Sequence, residues 1–222
     1  MRPKSLILAG GHSSRMGCPK YALDFTVGSR RSCLLQQLLR HHHDFQKGRL
    51  LTAFSITVSV RDDAQQTEIE DLCRRHGMDL EVLDFVVDEL VEMGPIAGLL
   101  AAHHSDPTAH WLVTGCDYPL LEAATLHQLW SNHGAETSVS CFCNEEGFYE
   151  PLLAIWSPNA LQRLGRIAQT AKEENRRVGP SSAIRAFQAE RTVVDVQPLK
   201  RSWIRNVNTP NDWQEVKAVL ER

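Results

Sequence analysis

Residues 5–20, Ser5-Leu6-Ile7-Leu8-Ala9-Gly10-Gly11-His12-Ser13-Ser14-Arg15-Met16-Gly17-Cys18-Pro19-Lys20, decide how the rest of the chain is read. The apolar run Leu6-Ile7-Leu8-Ala9 has the length of a buried strand. It stops at two adjacent glycines, and a polar turn of small residues follows. Glycines after a strand let backbone N–H groups point inward and approach a phosphate closely, and nearby cations balance its charge. Ser13 and Ser14 add hydroxyl donors, while Arg15 and Lys20 add two charges of the kind that phosphate sites use. The stretch therefore predicts a triphosphate cradle. A Walker loop is excluded, because it needs Gly-Lys-Ser/Thr opening a helix and Lys20 lies between Pro19 and Tyr21. The dinucleotide fingerprint fails too, since the glycines fall at 10, 11 and 17 rather than in a Gly-x-Gly-x-x-Gly spacing. The plain alternative is a strand-to-loop turn with a solvated Arg and Lys. Two cations this close to the glycine pair favour the phosphate reading.

Working outward, 222 residues with 42% hydrophobic and 23% charged side chains suit one α/β domain over 1–222 with a sizeable core. A formal charge of -3 gives no support to nucleic-acid or anionic-membrane partners. No apolar run approaches the roughly 18 residues that span a bilayer. The apolar stretch behind Arg2 and Lys4 ends at Gly10, too soon for a secretory signal. Six cysteines without a Cys-x-x-Cys pair point to reduced, mostly buried thiols and a cytoplasmic setting. His41-His42-His43 is expected to be a polar helix end with no catalytic role.

Along the chain, Leu34, Leu35, Leu38 and Leu39 form a helical stripe over Ser32–His43, with Ser32 as cap. Residues 44–53 read as a loop, and Phe54–Val60 alternates like a strand. A helix over Asp63–His76 ends at Gly77, and a short strand is expected at Leu80-Glu81-Val82-Leu83. Trp111–Val113 is a strand core, followed by a helix over Glu122–His133. Thr137–Cys143 and Tyr149–Trp156 suggest a hairpin around Asn144–Gly147, with Pro151 marking an edge strand or a strand beginning. Helices over Asn159–Glu174 and Ser181–Ala189, a strand at Val193–Val196 and a closing helix over Pro210–Glu221 capped by Thr209 complete the pattern. Strands alternating with helices argue for a three-layer α/β domain with a mostly parallel sheet.

Three further stretches bear on chemistry. Gly94-Pro95-Ile96-Ala97-Gly98 reads as a helix start, with Gly94 at the cap and Pro95 at the first helical position. Its N-terminus could face an anionic ligand, or Gly98 could mark a tight helix–strand contact. Asp117 follows the strand at Trp111, where the chain leaves the sheet. Ligands of open α/β sheets gather beyond the carboxyl ends of strands, so Asp117 is expected on the same rim as Gly10-Gly11. A carboxylate there suits Mg²⁺ held against nucleotide phosphates better than a cap for a helix separated from it by four residues. Asn206 and Asn208, two apart on an extended segment, could reach one ligand or metal, or simply make Asx turns.

Taken together, Leu8-Ala9-Gly10-Gly11, Ser13-Ser14-Arg15-Met16-Gly17 and Lys20 resemble the signature of the MobA-like nucleotidyltransferases. The resemblance continues in order through Asp88, Gly94-Pro95-x-x-Gly98, Cys116-Asp117-x-Pro119, Pro151-Leu152-x-Ala154, Arg176-Arg177 and Asn206-x-Asn208-Thr209-Pro210. It implies a Rossmann-like nucleotidyltransferase fold and Mg²⁺-dependent transfer of a nucleoside monophosphate to a phosphorylated acceptor such as molybdopterin. By that likeness Leu8, Ala9, Gly10, Gly11, Ser13, Ser14, Lys20, Asp88 and Asp117 would hold the nucleotide. Arg15, Lys20 and Asp117 would carry catalysis, and Asp117 with Asn208 the metal. Gly94, Gly98, Arg176, Arg177 and Asn206 would serve the acceptor. Gly10 as third letter of Leu-Ala-Gly-Gly resembles members that transfer GMP from GTP, whereas cytidylyl-transferring relatives tend to read Leu-Ala-Ala-Gly. Two positions depart from the pattern: Ser59-Val60-Arg61 stands where an asparagine is frequent, and Glu150 where guanylyltransferases often carry glutamine or histidine. The alternatives are transfer of CMP or another nucleotide to a sugar or alcohol phosphate, and a nucleotide-binding regulatory module without catalysis.

Overall fold

The computed structural model describes residues 2–11, 13, 15–23, 32–46, 55–88, 93–144 and 146–220. Seven strands, β1 (Lys4–Leu8), β2 (Ile56–Val60), β3 (Leu83–Val87), β4 (Trp111–Gly115), β5 (Val139–Cys143), β6 (Tyr149–Trp156) and β7 (Val193–Val196), form one sheet. Their order is β3-β2-β1-β4-β6-β5-β7. Every pairing is parallel except those of β6, which runs antiparallel to β4 and β5. The helices are α1 (Cys33–Gln46), α2 (Asp63–Arg75), α3 (Pro95–Ser105), α4 (Ala123–Ser131), α5 (Pro158–Glu173), α6 (Pro180–Ala189) and α7 (Pro210–Leu220).

Alternation along the strands separates the two faces. Leu6, Trp111, Val113 and Trp156 point to one side, where Leu99 of α3, Leu164 of α5 and Phe187 of α6 cover them. Ile7 and Val58 point to the other, under Leu34 and Leu38 of α1 and Ile69 of α2. Leu112 and Ile155 meet Leu126 and Leu129 of α4 on that same side. The result is the expected mostly parallel α/β arrangement, with helices on both faces.

The chain runs from β1 outward to β2 and β3, then returns to place β4 on the other side of β1. That reversal opens a crevice at the carboxyl ends of β1 and β4, the usual seat of a ligand in such sheets.

Two local expectations are corrected and a third is narrowed. The strand expected at Leu80–Leu83 is a 3₁₀ turn over Leu80–Val82, started by Asp79, whose side chain accepts from the Glu81 N–H at 2.9 Å; the strand begins at Leu83. His41 is not a polar helix end. It shares a face of α1 with Leu34 and Leu38 and is fully buried, its Nδ1 2.5 Å from Ser5 Oγ and its Nε2 3.2 Å from Thr114 Oγ1. Burial there holds the imidazole neutral, its pKa pushed down to about 3. Of the two places expected for Pro151, the structure has the strand beginning: it is the third residue of β6, which is an interior strand and not an edge. It is tolerated near the start of β6 because the pairing with β5 slips between Cys141 and Phe142, leaving no regular ladder to interrupt.

Candidate functional site

The β1 strand ends at Leu8, and its extension is held on both sides. The Ala9 N–H donates to the Ser59 carbonyl (3.0 Å), Gln65 of α2 donates to the Ala9 carbonyl (2.8 Å), and the Cys116 N–H donates to the Leu8 carbonyl (3.2 Å). Gly10 and Gly11 therefore leave the sheet beside the end of β4. Ser13 follows in a left-handed conformation (φ 50°), its carbonyl accepting from Met16 N–H and its Oγ from Lys20 N–H at 3.1 Å. These bonds curl the turn so that Lys20 comes back over the sheet edge.

Asp117 is fixed just as firmly. Gln37 and Arg40 of α1 donate to the carbonyls of Tyr118 (2.8 Å) and Pro119 (3.1 Å), and Val207 N–H donates to the Asp117 carbonyl (3.0 Å). It takes no part in starting α4, whose first turn is closed by Glu122 and Thr125. Its carboxylate faces the cleft, where Lys20 Nζ is 2.9 Å from Asp117 Oδ2 and 2.7 Å from Asn208 Oδ1. The Arg15 guanidinium makes a longer contact of 3.5 Å with the same Asn208 oxygen. Asn208 is free to face the cleft because Thr209 and Asp212 carry the capping of α7: the Asn208 and Thr209 N–H groups both donate to Asp212, and Asp212 N–H donates to Thr209.

At the far end of the cleft, Asp88 continues β3. Ser59 Oγ donates to its Oδ1 at 2.6 Å, which leaves Oδ2 turned toward Gly10. A Cβ on Gly10 would stand 2.4 Å from that oxygen, so only glycine lets the carboxylate settle there. Burial pushes the Asp88 pKa up to about 6, against the opposing hydrogen bond from Ser59. Gly98 is tighter still: a Cβ would come 2.3 Å from Ser59 Oγ and 2.6 Å from Leu8. The close helix–strand contact weighed for Gly98 is thus present, and Gly94 (φ 57°) caps α3 in a conformation that favours glycine.

One cleft of about 350 Å³ gathers Leu8, Ala9, Gly10, Gly11, Ser13, Arg15, Lys20, Asp88, Gly94, Gly98, Asp117, Asn206 and Asn208. Ser14 lies outside the described residues. Arg176 and Arg177 do not line the cleft. They are exposed beyond α5, and Arg176 pairs with Glu174 at 2.9 Å, as solvated charge runs do. Ser59, Pro95, Cys116 and Leu152 line the cleft without having been singled out as site residues. Of these, Ser59 was findable, because it stands one residue from the end of β2 on the same rim.

The donor set can be tested against a divalent ion. Asp117 and Asn208 turn two oxygens onto one ammonium, so a positive charge already sits where these oxygens converge. Hard oxygen donors, few in number and beside a glycine turn, fit Mg²⁺, which keeps water and substrate oxygens in its remaining positions. Among the described residues there is no group of three or more His, Cys, Asp or Glu that would form a self-sufficient metal centre. The residues fit a metal that arrives with a phosphate ligand.

The rim sets two cations, Lys20 and Arg15, beside the glycine turn, an arrangement suited to an anionic ligand. Burial holds the Cys116 thiol neutral, so it offers no nucleophile. Fold and cleft together define a nucleotidyltransferase. Residues 5–188 match the family described as MobA-like NTP transferase domain, and the chain belongs to that family. It is 28% identical over 205 residues to the molybdenum cofactor guanylyltransferase of Pseudomonas fluorescens, covering 92% of this chain and 88% of that one. It is 26% identical over 215 residues to the molybdenum cofactor biosynthesis bifunctional protein of a Synechocystis species, covering 95% of this chain. There the chain spans about half the relative's length, 52%. In fold it resembles the crystal structure of molybdopterin-guanine dinucleotide biosynthesis protein A from Archaeoglobus fulgidus, with TM-score 0.67, 20% identity and 98% of each chain covered. Among the described residues no helix is long and apolar enough to cross a membrane.

Proposed function

We propose that this protein transfers GMP from GTP to a phosphorylated acceptor of the molybdopterin type and releases pyrophosphate, with Mg²⁺ as cofactor. The observation that carries the reading is the convergence of Lys20, Asp117 and Asn208 beside the Gly10-Gly11 turn at the switch point of the sheet. The guanylyl assignment is supported by the name of the Pseudomonas relative and by Gly10, whose missing Cβ admits the Asp88 carboxylate. The six free cysteines, five of them buried, support a reducing, cytoplasmic setting.

In the reaction an acceptor phosphate oxygen forms a bond to the α-phosphorus as the bond to the bridging oxygen breaks and pyrophosphate leaves. A phosphate monoester with a second pKa of about 6 is already a dianion at neutral pH, so no protein base is needed. Mg²⁺, held by Asp117 and Asn208, would supply positive charge to the phosphate oxygens. The Gly10 and Gly11 N–H groups orient the phosphates, and Lys20 and Arg15 meet the charge that grows on the leaving group. Asp88 offers an acceptor to donors on the base or ribose. Calorimetric titration with GTP, CTP, ATP and UTP in Mg²⁺, followed by pyrophosphate release with molybdopterin, tests the whole reading. Tighter binding of CTP than GTP would overturn the base assignment. Binding of GTP with no pyrophosphate released in the presence of any acceptor would leave a nucleotide-binding module instead.

Two outcomes follow from Asp88. Gly10→Ala is expected to weaken GTP binding about tenfold or more, because the new methyl group and the carboxylate oxygen cannot occupy their 2.4 Å separation. Calorimetry on the folded variant checks this, and unchanged affinity would remove Asp88 from the nucleotide site. The ionised carboxylate is the better acceptor, so GTP affinity should rise with pH through about 6, and Asp88→Asn should flatten that rise. Stability moves the other way. A raised carboxyl pKa contributes stability that is fully present below about 4 and lost as pH rises through about 6, an effect of about 3 kcal/mol. Denaturant midpoints of wild type and Asp88→Asn across pH 4–7 measure the difference.

A further inference from the structure

One buried hydrogen bond at the far end of the cleft is enclosed by two glycines from different segments. Ser59 Oγ donates to Asp88 Oδ1 at 2.6 Å, and the two residues are only 1% and 8% exposed. A Cβ on Gly98 of α3 would stand 2.3 Å from Ser59 Oγ, and one on Gly10 would stand 2.4 Å from Asp88 Oδ2. A methyl group at either place would push the hydroxyl or the carboxylate off its partner. Neither Gly10 nor Gly98 has a positive φ, so what glycine supplies at both is space and not backbone freedom.

The main chain on either side is fixed. Ser59 pairs with Leu8 in β1 and with Val86 in β3, and the Asp88 N–H donates to the Val60 carbonyl at 2.8 Å. Rotation of the Asp88 side chain is the motion that remains, and Ser59 stops it. A hydroxyl has one proton to give. Here it goes to Oδ1, which leaves Oδ2, beside Gly10, to accept a donor from the cleft.

A carboxylate held in that pose discriminates between purines. Guanine turns N–H donors outward at N1 and at its 2-amino group, whereas adenine has an acceptor nitrogen and a C–H at those places. An oxygen that can only accept gains a charge-assisted bond from the first and faces a lone pair on the second.

We propose that Ser59 is a positioning residue which, by holding Asp88 Oδ1, aims Oδ2 at the N–H edge of guanine and so sets the preference for GTP over ATP. The inference rests on the reading above that Asp88 meets the nucleoside. Ser59 borders the cleft, but it acts through the carboxylate and needs no contact of its own with the ligand.

The test is calorimetric titration of GTP and of ATP, each with Mg²⁺, into the full chain carrying Ser59→Ala, Asp88→Asn or both. Ser59→Ala is expected to weaken GTP binding about five- to tenfold and to leave ATP binding at its wild-type value, so the preference narrows. In pyrophosphate assays with molybdopterin, KM for GTP should rise by the same factor while kcat at saturating GTP is retained. A general loosening of the sheet edge would instead weaken both nucleotides and lower kcat. Asp88→Asn should remove most of the preference, and adding Ser59→Ala to it should cost nothing more, since the serine works through that carboxylate. Equal losses for GTP and ATP, no loss in Ser59→Ala, or losses that add in the double variant would overturn the proposal and leave the nucleotidyl-transfer reading standing. Unchanged GTP affinity in Asp88→Asn would remove Asp88 from the nucleoside and overturn the proposal with it. A wild-type chain that prefers ATP would overturn the guanylyl assignment as well.

Discussion

Pyrophosphate release is expected to fall at least a thousandfold when Asp117 is replaced by alanine, a loss of about 4 kcal/mol of transition-state stabilisation. The size follows from what the carboxylate is proposed to do. It is the negatively charged partner of Asn208 at the point where their oxygens converge, and an amide oxygen alone holds a divalent ion weakly. The turn carrying Asp117 is tied by its backbone to Val207 and by its neighbours to Gln37 and Arg40, so losing the side chain leaves the turn in place. Asp117→Asn makes the sharper comparison, because it keeps the shape and removes only the charge. Steady-state pyrophosphate assays on both variants, with melting temperatures as a control for folding, check the expectation. Near-wild-type turnover in either variant would place the chemistry elsewhere.

Lys20→Ala should move two measurements in opposite directions. Turnover is expected to fall by about 2.7–4 kcal/mol, the cost of removing one donor to developing charge. At the same time the affinity for Mn²⁺ in the absence of nucleotide should rise, because in the free protein the ammonium occupies the place between Asp117 and Asn208. Both side chains of the Lys20–Asp117 pair are only 16% exposed, so the competition takes place largely out of water, where charge matters more. A merely structural lysine would shift turnover and ion binding together, or neither. An ion affinity that falls with turnover would refute the competition.

Much of this site is legible in the sequence because its signals are local. A strand that ends in two glycines, a carboxylate two residues beyond another strand, and a Gly-Pro helix start each announce themselves within a few residues. The sheet then brings them to one rim by topology, since parallel strands share the edge at which they end. What escapes is side-chain pairing between distant segments. The Ser59–Asp88 bond joins residues 29 apart and the Tyr118–Glu150 bond residues 32 apart, and neither has a periodic pattern behind it. His41 misleads for a related reason: among three successive histidines only its angle around the helix decides burial, and its partners Ser5 and Thr114 lie in two different strands. The turn at Leu80–Val82 shows tight local bonding to Asp79 overriding an apolar pattern that reads as a strand. Arg176 and Arg177 show the converse, a motif in the right order whose side chains do not line the cleft.

The ammonium lodged between Asp117 and Asn208 gives the resting protein a filled seat. A stray ion that arrives alone must evict a tethered occupant, and it brings nothing to receive the displaced charge. A triphosphate that arrives with its ion offers the lysine a new anionic berth in the same movement. On the proposed reading, capture of the metal is conditional on the nucleotide, and the empty enzyme is guarded against ions that come without one.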